Sequence, residues 1–208
     1  MTAGRPELLR TGPASAAHTF VLAHGAGAGM RSPFMTSFAE GLGSRGIAVC
    51  RFDFPYMQEM SASGRRLPPN REPVLRQYWQ EVIAQFEGKR LLIGGRSLGG
   101  RMASLVADDC SVAGLVCLGY PFHPPGRAER TRTAHLADLR TPTLICQGAR
   151  DPFGNVAEVG AYQLSPKIAL HWLDDGDHSF VPRRASGRTT EQNWSEAMDR
   201  IAEFAQSV

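Results

Sequence analysis

Six short apolar runs punctuate the chain, at 19–23, 47–52, 90–94, 112–118, 142–147 and 168–173, with polar, helix-period stretches between them. Each run is nearly continuous in apolar residues instead of alternating with polar ones. That pattern predicts strands covered on both faces, the habit of a parallel sheet. The intervening stretches carry apolar residues three and four apart. Over 73–86, Leu75, Tyr78, Trp79, Val82, Ile83 and Phe86 fall on one side of a helix, and Pro73 suits its first turn. Over 190–206, Trp194, Met198, Ile201 and Phe204 form a second stripe, and Thr189 with Gln192 makes a capping box at its start. Strands alternating with helices predict an α/β fold. The expected architecture is a three-layer α/β/α sandwich on a mostly parallel sheet of about six strands. Residues 1–17 read as a short lead-in and 18–208 as a single domain.

Length and composition agree with this. A chain of 208 residues, 42% hydrophobic, is long enough to bury one sizeable core. A formal net charge of +3 is too small to point to nucleic acid. The basic residues are 21 arginines and only two lysines, Lys89 and Lys167, which reads as GC-rich coding before it reads as function. Of the four cysteines, Cys50, Cys117 and Cys146 lie inside apolar runs, and neither they nor Cys110 shows metal-ligand spacing. No leader pattern opens the chain and no apolar run reaches membrane-spanning length. A reducing, cytoplasmic setting without membrane or nucleic-acid partners is the expectation, and the sequence does not separate monomer from homodimer.

Three connections, 53–72, 120–140 and 178–188, are long and rich in Pro, Gly and Arg, and each follows an expected strand. They therefore belong at the carboxyl edge of the sheet, where open α/β sheets bind ligands.

One motif stands at that edge. Gly95-Arg96-Ser97-Leu98-Gly99 is a G-x-S-x-G pentapeptide between the run at 90–94 and a small-residue helix expected over 98–107. Strand, tight turn and helix are the context in which such a serine is presented as a nucleophile. Gly100 lets that helix pack closely on a neighbouring strand. A serine hydroxyl needs a base to take its proton, and the base needs a carboxylate to orient it. Chain order and strand ends select Asp151, after the run at 142–147, and His178, after the run at 168–173. Taken alone, Asp151 before Pro152 fits a plain turn, and His178 in its Gly/Asp loop fits an ordinary surface residue. Their order behind Ser97 at successive strand ends favours the catalytic reading. Backbone N–H donors for a developing oxyanion are expected at Leu98 and in the loop after the first run, at Gly25 and Ala26. His24 either fixes that loop through its ring or is a packed structural histidine.

The same loop fails as a dinucleotide site. The third glycine of G-x-G-x-x-G falls on Met30, or on Ser32 when the count starts from Gly27, and only Asp53 after the next run keeps the idea alive. No Gly-Lys-Ser/Thr follows to make a phosphate loop. No cofactor and no metal are expected.

The elbow at 95–99, the His24-Gly25 loop, Gly148-Ala149-Arg150-Asp151 and Gly176-Asp177-His178 together resemble the α/β-hydrolase superfamily over roughly residues 18–207. The short length is most similar to compact, lid-poor members grouped near the dienelactone hydrolases and small serine hydrolases, and Phe52-Asp53-Phe54-Pro55-Tyr56 fits that group. Two departures qualify the likeness. Dienelactone hydrolases proper use a cysteine where this chain has Ser97, so their substrate does not carry over. The leading antiparallel strands of larger members have almost no room before residue 18.

The resemblance implies a serine hydrolase without a cap domain that cleaves a small carboxylic ester or thioester through an acyl-enzyme. Ser97, Asp151 and His178 would be its triad. Two alternatives remain open: a peptidase with the same triad, and a non-catalytic scaffold that binds a protein partner. Arg96, Tyr120 and His123 are the expected substrate contacts, with the loop from Tyr120 to His123 lining the pocket. Arg65, Arg66, Arg127, Arg130, Arg132, Arg183 and Arg184 all fall on edge connections and suggest a positive field for anionic substrates, although exposed loops are commonly charged.

Overall fold

The computed structural model describes residues 6–86 and 90–208, so Lys89 and the first five residues of the lead-in lie outside the described part. All six expected strands form: β2 (His18–Ala23), β3 (Ala48–Phe52), β4 (Arg90–Arg96), β5 (Gly114–Leu118), β6 (Thr143–Gly148) and β7 (Ile168–Leu173). They pair in parallel in the order β3-β2-β4-β5-β6-β7. A seventh strand, β1 (Leu9–Thr11), lies within the expected lead-in and pairs antiparallel with β3, from Leu9 opposite Arg51 to Thr11 opposite Val49. Three residues are too few to show a period, which is why this strand is silent in the sequence.

Successive residues of each strand face opposite sides of the sheet, so one apolar run feeds two cores. From β2, Val21 and Ala23 join the first core and Phe20 and Leu22 the second. From β4, Leu91 and Ile93 go one way and Leu92 the other. The first core is closed by α3 (Glu72–Ile83) and α4 (Leu98–Ser104), the second by α1 (Pro33–Gly43) and α6 (Thr190–Ser207). Sheet and two helical layers make the expected sandwich.

Two of these helices follow their stripes closely. In α3, Leu75, Tyr78, Trp79 and Val82 are buried, and Trp79 meets Phe52 edge-on with centroids 4.9 Å apart. In α6, Met198 and Ile201 are buried, while Trp194 and Phe204 are half-buried against the same core. Burying each large apolar side chain contributes about 1.5–3 kcal/mol. The Thr189–Gln192 capping box is present in both directions, with bonds of 2.8 and 3.2 Å.

Three helices go beyond the expectation: α1, α2 (Pro55–Ser63) and the four-residue α5 (Val156–Val159) after β6. In α1, Phe34, Met35, Phe38, Ala39 and Leu42 make a buried stripe. Helix α2 occupies the start of the 53–72 connection. Between α1 and α2, buried Arg51 on β3 donates to Met30 O, Thr36 Oγ1 and Thr11 Oγ1, tying α1 and β1 to the turn after β2. All four cysteines are free thiols, and Cys50, Cys117 and Cys146 are buried. Among the described residues, no helix is long and apolar enough to cross a membrane.

Candidate active site

Central strand β4 runs directly into α4 through Ser97, whose backbone sits at φ 49° and ψ −112°. A non-glycine residue there is strained by about 1–3 kcal/mol and persists only where its surroundings over-determine it. Here they do. The Ser97 N–H donates to Leu118 O at 2.9 Å, and Ser97 O accepts from the Arg101 N–H at 3.0 Å. The turn is also jammed against β2: a Cβ at Gly95 would lie 2.3 Å from Ala23 O, and one at Gly99 2.6 Å from the carbonyl oxygens of Ala23 and His24. Only glycine on both sides lets the elbow seat this deeply.

Asp151 and His178 leave the ends of adjacent strands β6 and β7. His178 Nδ1 is 2.8 Å from Asp151 Oδ2, and Asp151 is completely buried. The same oxygen accepts from Gln147 Nε2 at 2.9 Å, and Oδ1 accepts from the Phe153 N–H at 2.8 Å. With Nδ1 facing a carboxylate, the hydrogen-bond network assigns the proton to Nδ1 and leaves the Nε2 lone pair free. Phe153 packs on the imidazole, with ring centroids 4.2 Å apart.

The loop carrying His178 is held from several sides. Asp175 and Phe180 adopt left-handed backbone angles, φ 51° and 68°. Arg183 and Arg150 pair with the Asp175 carboxylate and hold its titration well below the usual carboxylate range. Buried Asn193 on α6 donates to Asp174 O and Phe180 O, and Trp194 Nε1 donates to Ser179 O.

Opposite lies the loop after β2. His24 is fully buried; its Nε2 accepts from the Phe54 N–H at 3.1 Å, so Nδ1 carries the proton and donates to Gly25 O at 2.6 Å. Tyr56 of α2 donates from its hydroxyl towards Gly25 O and Ala26 O, at 3.3 and 3.2 Å. Farther along, the Met30 peptide is clamped, its N–H by Asp53 Oδ1 at 2.7 Å and its carbonyl by Arg51. The ring of His24 thus fixes the loop and is packed as well; the two readings offered by the sequence describe one residue.

Desolvation sets the protonation of that ring. Burial pushes the His24 imidazole below its ordinary 6.5, against smaller opposing effects of its bond to Gly25 and the charge of Asp53. His135 is shifted the same way, again chiefly by burial. Folded-state values below 6.5 mean that the unfolded chain binds more protons as pH falls through that range, so stability falls with it. The melting temperature is expected to drop between pH 7 and 5, before carboxylates titrate, and His24→Asn should flatten part of that slope. A melting temperature constant over that interval would contradict the assignment.

These parts enclose a cleft of about 380 Å³ lined by residues 25–28, Ser32, Met35, Arg96, Ser97, Phe153 and His178. Of the residues singled out from the sequence, Ser97, His178, Gly25, Ala26 and Arg96 line it. Asp151 stands behind His178, and half-buried Leu98 follows Ser97 at the start of α4.

Tyr120 and His123 do not. Both are buried; Tyr120 donates its hydroxyl to Arg132 O, and His123 Nε2 sits 3.2 Å from Glu158. The loop from Tyr120 turns inward and closes the first core instead of lining the cleft. Tyr120 reaches the site only through its backbone, which Gln147 bridges to Asp151. None of the seven edge arginines lines the cleft either, and Arg183 is spent on Asp175. The contacts of Phe153 with His178, of Gln147 with Tyr120, and of Tyr56 and Asp53 with the loop after β2 are long-range and carry no local signature, although Asp53 and Tyr56 belong to the Phe52–Tyr56 segment singled out beforehand.

The pattern of the family described as "Alpha/beta hydrolase domain" matches residues 16–206. A carboxymethylenebutenolidase from Pseudomonas sp. (strain P51) is 32% identical over 112 residues, which is 52% of this chain and 42% of that protein; the match thus spans less than half of the relative's length. Among solved structures, a dienelactone hydrolase from Anabaena variabilis superposes with a TM-score of 0.73 at 20% identity, covering 98% of this chain and 93% of its own. A lidless a/b serine hydrolase from Xanthomonas campestris gives 0.67 at 19% identity, covering 95% and 88%. These superpositions establish a shared fold.

Proposed function

The chain belongs to the alpha/beta hydrolase family, and from that premise we propose that it is a serine hydrolase cleaving small carboxylic esters or thioesters through an acyl-enzyme. One observation carries the reading. A strained serine at a strand-to-helix elbow shares a cleft with a histidine whose far nitrogen is bonded to a fully buried aspartate.

In the proposed cycle Ser97 Oγ attacks the acyl carbon while His178 Nε2 takes its proton. The carbonyl electrons move onto oxygen, and the N–H groups of Leu98 and Ala26, with Gly25 beside them, stabilise the tetrahedral oxyanion. Asp151 holds the imidazole in the required tautomer and faces the imidazolium that forms. Collapse expels the alcohol or thiol, which receives the proton from His178. Water then enters, gives its proton to His178 and attacks the acyl-enzyme; the carboxylic acid leaves and Ser97 regains its proton. A cleft near the lower end of ligand-pocket volumes suits a short acyl chain.

A fluorophosphonate probe tests the reading. Wild type is expected to become labelled on Ser97, and Ser97→Ala is not. Failure of the folded wild-type protein to react would favour the non-catalytic scaffold.

A further inference from the structure

Among the described residues, Arg96 is the one cationic side chain in the lining of this cleft, and it is the immediate neighbour of the proposed nucleophile. Its guanidinium lies over the face of Phe34, 4.4 Å from the ring centroid, and Nη2 donates to Ser179 Oγ at 2.5 Å. The other contacts a guanidinium ordinarily seeks are missing among the described residues. Among the described residues no carboxylate comes within ion-pair distance of Arg96; Asp177 and Asp151 act on it only from farther off. Among the described residues its remaining N–H groups have no acceptor, and they are not sealed from solvent. Arg45, Arg101, Arg150, Arg183 and Arg188 each lie against a carboxylate. A partly desolvated cation held flat by an aromatic ring, with donors left over, is pre-ordered for an anion from outside.

The geometry points to Arg96 as a carboxylate-recognition residue: the cleft takes esters or thioesters that carry a carboxylate, which the free edge of this guanidinium holds. This rests on the serine-hydrolase reading above. It also relocates the positive field expected of the edge loops, whose seven arginines stay outside the cleft, to one residue beside Ser97. Planar fork meets planar carboxylate in two parallel hydrogen bonds, whereas lysine offers a point charge. Ser179, next to His178, keeps the guanidinium from swinging away.

The test uses two substrate pairs of matched size, each an ester bearing a carboxylate and its counterpart bearing a carboxamide. In one pair, 4-nitrophenyl glutarate monoester against 4-nitrophenyl glutaramate, the group is on the acyl chain. In the other, 3-acetoxybenzoate against 3-acetoxybenzamide, it is on the leaving group. Wild type is expected to prefer the carboxylate of at least one pair by about tenfold or more in kcat/KM, the ratio that one charge-assisted bond supplies. Arg96→Met should erase that preference while Ser97 still reacts with fluorophosphonate, and Arg96→Lys should keep part of it. Ser179→Ala, which cuts only the tether, should retain the preference.

Equal rates within both pairs for wild type would overturn the proposal and leave the serine hydrolase standing. So would Arg96→Met lowering both members of each pair equally with Ser179→Ala doing the same, since Arg96 would then merely position the His178 loop. Wild type that neither hydrolyses any of the four nor reacts with the probe would overturn the serine-hydrolase reading, and this proposal with it.

Discussion

Asp151→Asn is expected to fold normally and to lose about four orders of magnitude in kcat, the scale on which a triad fails when its histidine is held in the wrong tautomer. Local bonding dictates the outcome. Oδ1 of Asp151 accepts from the Phe153 N–H, so an asparagine keeps its carbonyl oxygen there and turns its NH2 toward His178. Nδ1 must then accept, the ring proton moves to Nε2, and no lone pair is left there to take a proton from Ser97 in the proposed cycle. The NH2 also meets Gln147 Nε2, donor against donor. Steady-state hydrolysis of a short-chain nitrophenyl ester, with circular dichroism as the folding check, measures this. An active, folded Asp151→Asn enzyme would remove Asp151 from the mechanism.

The second large effect is on folding. A Cβ added at Gly94 would lie 1.8 Å from Val116 O and 3.0 Å from Val116 N, in the middle of the β4–β5 ladder. Backbone cannot yield there as the tip of a side chain does, so the ladder must open. Gly94→Ala is expected to cost about 3 kcal/mol or more, at or above the upper end of what overpacking a core site ordinarily costs. A chain at the lower end of ordinary stability, about 5 kcal/mol, would be left near its unfolding threshold. Gly27→Ala, where an added Cβ meets nothing within 4 Å, should leave the melting temperature within a degree or two. Equal melting temperatures for the two variants would contradict the packing argument.

How much of this is legible beforehand depends on the range of the interactions. The six parallel strands are written locally, because a strand buried on both faces must be apolar throughout. The buried stripe of α1 was equally there to be read, with Pro33 at its start, but it adjoins the glycine-rich loop and reads as an extension of it. In α2 only Tyr56 and Met57 are buried, which is too little to register as a stripe. The convergence of Ser97, Asp151 and His178 at one edge is legible because strand ends and chain order fix where such residues must fall. Tyr120 and His123 mislead for a physical reason: aromatic residues just past a parallel strand can line the edge or fold beneath it. The choice rests on bonds such as Arg132 N–H to Phe122 O, ten residues away in the chain. The clamp on Met30 is likewise invisible, since Asp53 and Arg51 reach it only once β3 has docked beside β2.

The order of the strands has one more consequence. Ser97 stands at the end of β4, with three strands on either side, whereas His178 follows β7, which is bonded on one flank only. Sheets open from their margins, where fewer restraints must be broken, and such excursions cost less than global unfolding. The two halves of the proposed chemistry therefore do not share one resistance to heat. A fluctuation that lifts β7 and α6 away from β6 removes the base and leaves the nucleophile in place on an intact central sheet. Loss of the proposed activity on heating is thus expected at the rim of the sheet before its core gives way.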